Sequence, residues 1–217
     1  MTQKSKDDIT RERILDEAEI LFARKGFDAV SIREITRAAD CNLAAVNYHF
    51  KHKQNLYLRV FRERWLPRAG RVRDFFKTAL AAQESPSPDA VVQALAQAFI
   101  AGPLSDEERR RHHQLITREL CQPTEAFDIL VEEAMRPMVK ELLGQMGAFM
   151  PQETDRDKLK LHILNIFGMI LYFNFAREAV SRLTGQKYDA EFKDRLIRQI
   201  TDFSLHGLNL EKEEAGR

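Results

Sequence analysis

The sequence predicts an all-α protein, a three-helix helix-turn-helix headpiece followed by a larger helical body. Two observations carry the fold class. Apolar residues recur at the helical period almost throughout, and no segment alternates with the period of two that a half-buried strand requires. A third sets the organisation: short helical stretches joined by tight turns precede residue 53, and longer ones separated by proline and glycine breaks follow it.

Ile14, Ala18, Leu21 and Phe22 make one face of a helix over 10–25, and Gly26 stops it as a left-handed residue. Ser31 opens a second, short helix, with Glu34 three residues on completing a reciprocal capping box and Ile32, Ile35 and Ala39 facing inward. Asp40 and Cys41 form the turn. Asn42 caps a third helix that runs to about Phe50. A fourth follows Lys53, with Leu56, Val60, Phe61 and Trp65 on one stripe, and Pro67 is expected to bend or restart it near Arg64. Further helices are expected at 68–83, 88–101, 105–121, 124–149, 155–184 and 189–209, divided by Pro86 and Pro88, Gly102-Pro103, Gln122-Pro123, Met150-Pro151 and Gly185. The ends, 1–8 and 211–217, are expected to fray.

Composition narrows the class of function. The 217 residues, 44% apolar and 31% charged, suit a soluble globular chain with ample core material. A net charge of +1 excludes a polycation, so any nucleic-acid site must come from uneven charge placement. Cys41 and Cys121 lie eighty residues apart, which is neither a disulfide framework nor a metal spacing and points to a reducing compartment. The N-terminus has no apolar signal core, and the longest apolar stretch, 161–176, is broken by His162, Asn165 and Asn174. It falls short of the about 20 apolar residues that span a bilayer. The expected location is therefore cytoplasmic, with no membrane partner.

The third helix is the informative one. It is too short to stand alone in water, and Val46 and Phe50, four apart, moor one side of it. The opposite side then carries Ala44, Ala45, Asn47, Tyr48 and His49. Small residues permit close approach to a surface. An asparagine amide can pair with an adenine edge and an alanine methyl can meet a thymine methyl. Tyr and His can donate to phosphate oxygens. Such a helix fits a DNA major groove. Charge placement agrees: 51–73 holds eight basic residues against one acid, Glu63, and is expected to follow the flanking phosphates. Lys53, at a helix start, adds an ammonium where the helix dipole also favours an anion.

The residues Ile14-Leu-Asp-Glu-Ala-Glu-Ile-Leu-Phe22, Gly26-Phe27, Val30-Ser-Ile-Arg-Glu-Ile35, Ala38-Ala39 and Val46-Asn-Tyr-His-Phe-Lys-His-Lys53 resemble the headpiece of TetR-type repressors over about 10–65. The resemblance implies a homodimer that binds a palindromic operator in double-stranded DNA and is controlled by a small-molecule effector in the C-terminal body. By position it implies backbone contacts from Ser31, Tyr48, His49 and Lys53 and base contacts from Ala44, Ala45 and Asn47, with Arg33 and Asn42 in the same DNA-binding set. It divides the chain into a DNA-binding domain, 1–52, and a ligand-binding and dimerisation domain, 53–217. Two departures stand out. Asp40-Cys41 replaces the usual glycine and aliphatic residue of the turn, and aspartate tolerates the left-handed conformation. Asn47 takes a position that is often aromatic, which changes the sequence read.

In the body, 161–176 is apolar all round, and a helix of that kind must be covered on every side. The helices at 155–184 and 189–209 are expected to form a four-helix interface with a second copy, which would set two reading helices about 34–36 Å apart. Candidate pocket residues are Phe99, Leu115, Phe127, Met135, Met138 and Phe173, with Arg118, Glu119, His162 and Asn165 as polar anchors; for each apolar one, core packing is the competing role. His112 and His113 are adjacent and diverge by about 100° on a helix, so no metal is expected. Cys41 reads as a structural thiol. No phosphate loop, nucleophile elbow or paired catalytic carboxylates occur, so neither enzyme activity nor a cofactor is expected. The rival readings are a helical enzyme or carrier with a merely structural start, and a protein-binding module.

Overall fold

The computed structural model describes residues 5–85, 87–149 and 155–207. Pro86, Met150 and Pro151, expected as breaks, and the segment 211–217, expected to fray, lie outside them. The described elements are helical: α1 Lys6–Lys25, α2 Ile32–Ala38, α3 Leu43–Phe50, α4 Lys53–Val60, a π-turn Phe61–Trp65, α5 Leu66–Ala81, α6 Pro88–Ile100, α7 Asp106–Cys121, α8 Ala126–Asp128, a π-turn Ile129–Met135, α9 Arg136–Gly147, α10 Arg156–Phe175, α11 Arg177–Thr184 and α12 Ala190–Gly207. There is no strand among the described residues.

The chain packs as two units. One holds the residues up to Ala69 with Asp106–Ala134; the other holds Gly70–Ser105 with the residues from Met135 onward. In the first, α1 packs against α2, α3, α4 and α7. Its core contains Ile14, Ala18 and Phe22 of α1, Ile35, Val46, Leu56, Tyr57, Val60 and Leu115. Arg68, buried among these helices, pairs with Glu19, while its Nε lies 3.6 Å from Glu108. Tyr57 donates to the buried Glu119 carboxylate at 2.6 Å, and the Thr124 backbone N–H donates to the same carboxylate at 2.9 Å. In the second unit, α6 packs on α12, α10 and α9, and the core joins Phe76, Leu95, Met138, Leu142, Ile163, Ile170, Leu196 and Ile200.

Three local details qualify the expectations. Residues 5–8, expected to fray, lead into α1 through a second capping box formed by Ser5 and Asp8. At Pro67 the α-helical hydrogen bonding is interrupted over Phe61–Trp65 and resumes at Leu66, where α5 begins. A π-turn just ahead of it absorbs the missing donor, with Leu66 N–H reaching back to the Phe61 carbonyl, and Arg64 donates to the freed Glu63 carbonyl at 3.3 Å. The other π-turn, Ile129–Met135, likewise ends two residues before a proline, Pro137, within the span expected as one helix over 124–149. Finally, the expected helix over 155–184 is bent by 79° between α10 and α11. At that break Asn174 donates to the Ile170 carbonyl at 3.0 Å and the Tyr188 hydroxyl to the Phe173 carbonyl at 2.8 Å. No single helix among the described residues is long and apolar enough to cross a membrane.

Candidate nucleic-acid interface

The geometry of α3 is fixed from both ends. At its approach, Ser31 and Glu34 exchange hydrogen bonds, the Glu34 N–H donating to Ser31 Oγ at 3.2 Å and the Ser31 N–H to Glu34 Oε2 at 2.8 Å. Lys25 adds an ion pair at 2.8 Å that ties α2 to the end of α1. Lys25 first, then Ser31, hold the Glu34 carboxyl at about 2, against an ordinary value of 4.5. The turn takes the left-handed conformation expected of Asp40, at φ 44°, and Arg13 of α1 donates to its carbonyl at 2.9 Å. Asn42 then accepts from the Ala45 N–H at 2.9 Å, capping α3. Cys41 is half-buried, and burial pushes its thiol up, which favours the unreactive protonated form.

Val46 and Phe50 are buried, as their spacing predicts, and the Arg11 guanidinium lies 5.4 Å from the Phe50 ring centroid. The opposite face is open. Ala44 and Asn47 are exposed, Ala45 is half-buried, and Tyr48 is 75% exposed. Leu43, which the sequence reading passed over, is 51% exposed on the first turn of this helix; its place directly after the cap was the available signal. His49 differs from expectation. Its side chain is only 7% accessible and its Nε2 lies 3.4 Å from the Asp7 carboxylate, because the capped start of α1 reaches this point. Ser31 and Arg33 are exposed at the start of α2. Lys53 is held ready: its ammonium sits 4.3 Å over the Phe27 ring and 3.5 Å from the Asp28 carbonyl.

Four of the eight basic residues in the window from Lys51 to Arg73 are paired with acids of the same chain. Arg59 pairs with Glu63, Arg62 with Glu133, Arg64 with Glu12 and Asp16, and Arg68 with Glu19. The exposed Lys51 and the poised Lys53 lie next to α3. A cleft of about 420 Å³ beside them is lined by His49, Lys51, Asn55, Leu58, Arg59 and Arg62.

Comparison with known proteins assigns both parts of the chain. Residues 14–60 match the bacterial regulatory proteins of the tetR family, and residues 88–208 match the C-terminal domain of the HTH-type transcriptional dual regulator CecR. The chain belongs to the TetR family of transcriptional regulators. A curated relative, the HTH-type transcriptional dual regulator CecR of Shigella flexneri, is 26% identical across 94% of this TetR-family regulator and 95% of its own length. The probable HTH-type transcriptional regulator YttP of Bacillus subtilis is 45% identical over 47 residues, 22% of this chain and 23% of its own. In fold, this chain is similar to a TetR-family transcriptional regulator from Bordetella parapertussis, at TM-score 0.66 and 21% identity over 92% of this chain and 96% of that one. The fatty acid degradation regulator FadR from Bacillus halodurans gives TM-score 0.64 at 17% identity, covering 95% and 98%.

The candidate pocket residues of this TetR-family regulator fall in both units. Leu115, Arg118 and Phe127 belong to the first unit; Phe99, Met135, Met138, His162, Asn165 and Phe173 belong to the second. Leu115 is fully buried in the first core, and Glu119 is held there by Tyr57 and Thr124. Arg118 donates to the Arg24 carbonyl at 2.8 Å and covers Gly26, whose φ of 84° requires glycine. Met138 lies in the second core, with Phe99 and Phe173 packed against it, and Phe99 meets Phe167 edge to face at 5.7 Å. Asn165 points outward with Leu161, Leu164 and Gly168.

Proposed function

We propose that this regulator is a homodimer that binds a palindromic operator and is released or retained by a small-molecule effector held in its body, acting in the cytoplasm without catalysing a reaction. The observation that carries the DNA reading is α3: eight residues, moored by Val46 and Phe50, presenting Ala44, Asn47 and Tyr48 to solvent. In this reading Ala44, Ala45 and Asn47 meet base edges, while Ser31, Arg33, Asn42, Tyr48 and Lys53 hold the phosphate backbone. His49 joins them by exchanging Asp7 for a phosphate. The helix is too short to be stable except on its neighbours, and its open face is small and polar where a duplex would lie.

The outward face of α10 supports the homodimer. Leu161, Asn165, Gly168, Tyr172 and Phe175 are exposed at alternating spacings of four and three, the repeat of a helix-pairing seam. Leu161 is 62% exposed and Phe203 of α12 is 63% exposed. A Cβ on Gly168 would meet nothing within 4 Å, so the glycine leaves room for a second helix. Gly168, Met169, Tyr172, Phe173 and Phe203 line an apolar groove of about 450 Å³ on this face. A two-fold partner covers such a surface with its own copy.

Selection of bound duplexes from a random pool tests the reading. Enrichment of a palindrome with half-sites about one helical turn apart is expected; a pool that stays random after repeated rounds counts against it. The name of the Shigella flexneri relative, a dual regulator, favours one extension, in which the chain activates some promoters and represses others. Reporter fusions to the selected sites, read with and without the regulator, distinguish the two.

A further inference from the structure

A polar groove of about 480 Å³ lies between α5 and α9 in the second unit, lined by Arg73, Lys77, Lys140, Glu141, Gly144 and Gln145. The spacings put these side chains there: positions 73 and 77 are one helical turn apart on α5, and 140, 141, 144 and 145 share one face of α9. Three of the lining residues are cations and one is an acid. Glu141 answers Lys77 at 3.4 Å. Lys140 is exposed. The Arg73 Nε–H is shielded from solvent and has no acceptor among the described residues. A shielded guanidinium N–H without an acceptor is costly unless a ligand supplies one.

Gly144 adds a second observation. A glycine inside a helix is destabilising relative to alanine. At Gly144 packing does not demand it, because a Cβ there would meet nothing within 4 Å. The missing side chain leaves open space in the groove, beside the cations.

We propose that this groove binds a compact multivalent anion, a small metabolite bearing phosphates or several carboxylates, with Arg73 and Lys140 as its main contacts and Lys77 drawn from Glu141 to join them. The planar guanidinium fork suits the paired oxygens of either group, and the two ammoniums act as point charges. A compact ligand fits better than a duplex, because a single groove carrying its own carboxylate is not the extended basic stripe that tracks closely spaced phosphates. The site is independent of the DNA-reading proposal and is tested without DNA.

The experiment is calorimetric titration of the full-length protein with pyrophosphate and with citrate at constant ionic strength, repeated on four variants. Saturable binding of at least one anion is expected. Pyrophosphate without citrate assigns a phosphate ligand, and citrate without pyrophosphate assigns a polycarboxylate. Arg73→Ala and Lys140→Ala should each weaken binding about tenfold, and Glu141→Gln should tighten it. Gly144→Glu should abolish it by placing a carboxylate in the open space. That variant also gains helix propensity, so an undiminished melting temperature separates loss of the site from loss of the fold. No saturable binding of either anion overturns the proposal. So does binding that Arg73→Ala and Gly144→Glu leave unchanged.

Discussion

Replacing Lys53 by methionine removes one charge from each subunit of the proposed homodimer while keeping the apolar stem that crosses Phe27. The ammonium is already held 4.3 Å above that ring and near the Asp28 carbonyl, so little ordering accompanies its contact with a phosphate. Each phosphate contact contributes about 0.9 to the slope of log affinity against log salt. A homodimer loses two contacts, so the slope should fall by about 1.8. At about 0.15 M salt this corresponds to about fivefold per contact and about thirtyfold for the dimer. The fold should survive, since an exposed cation–π contact contributes only about 0.5–1 kcal/mol. Fluorescence anisotropy with a selected and a scrambled duplex, from about 50 to 300 mM salt, reads both numbers. Equal weakening on the two duplexes with a shallower slope is the expected result. An unchanged slope, or a loss on one duplex only, refutes the assignment of Lys53 to the backbone.

Three further outcomes follow from the same geometry. Val46→Ala removes two methyl groups from a fully buried site and should lower stability by about 2–3 kcal/mol in thermal or urea unfolding; a loss below about 0.5 kcal/mol would mean that α3 is not moored as described. Glu34 is held at about 2, below its ordinary 4.5, so its contribution to stability is present above pH 4.5 and fades as pH falls towards 2. Glu34→Gln should therefore flatten the acid limb of a melting-temperature profile, and an unaltered limb contradicts the capping role. Leu161→Arg should shift the sedimentation equilibrium towards monomer and weaken operator binding in parallel; an intact dimer would place the interface elsewhere.

How much of this could be read beforehand depends on sequence distance. The capping box of Ser31 and Glu34, the left-handed turn at Asp40, the cap at Asn42 and the mooring pair Val46 and Phe50 are each set by residues no more than four positions apart, and the pattern displays them directly. The ion pairs of the basic window are not displayed by its own sequence, because several partners are remote: Arg64 meets Asp16 and Glu12 across 48 and 52 positions. Helical spacing alone puts His49 outward, because it says nothing about Asp7 at the start of another helix. The bend after Phe175 has neither glycine nor proline to announce it. It rests on side-chain donors, Asn174 and Tyr188, that compete for backbone carbonyls. In 161–176 the apolar residues run all round, so period alone could not tell the core face of Ile163, Ile166 and Ile170 from the outward face of Leu161 and Leu164. The two prolines that follow π-turns show the converse: the residue was legible, but its accommodation depended on a local i→i+5 bond.

Asn47 offers the most direct test of the claim that the open face of α3 reads DNA. Wild type and Asn47→Ala are titrated against the selected operator and against duplexes substituted one base pair at a time. The account predicts that the variant loses about 1–3 kcal/mol of discrimination at one position in each half-site and keeps the rest of its preferences. Identical preferences in the two proteins, or an equal loss at every position, would contradict it.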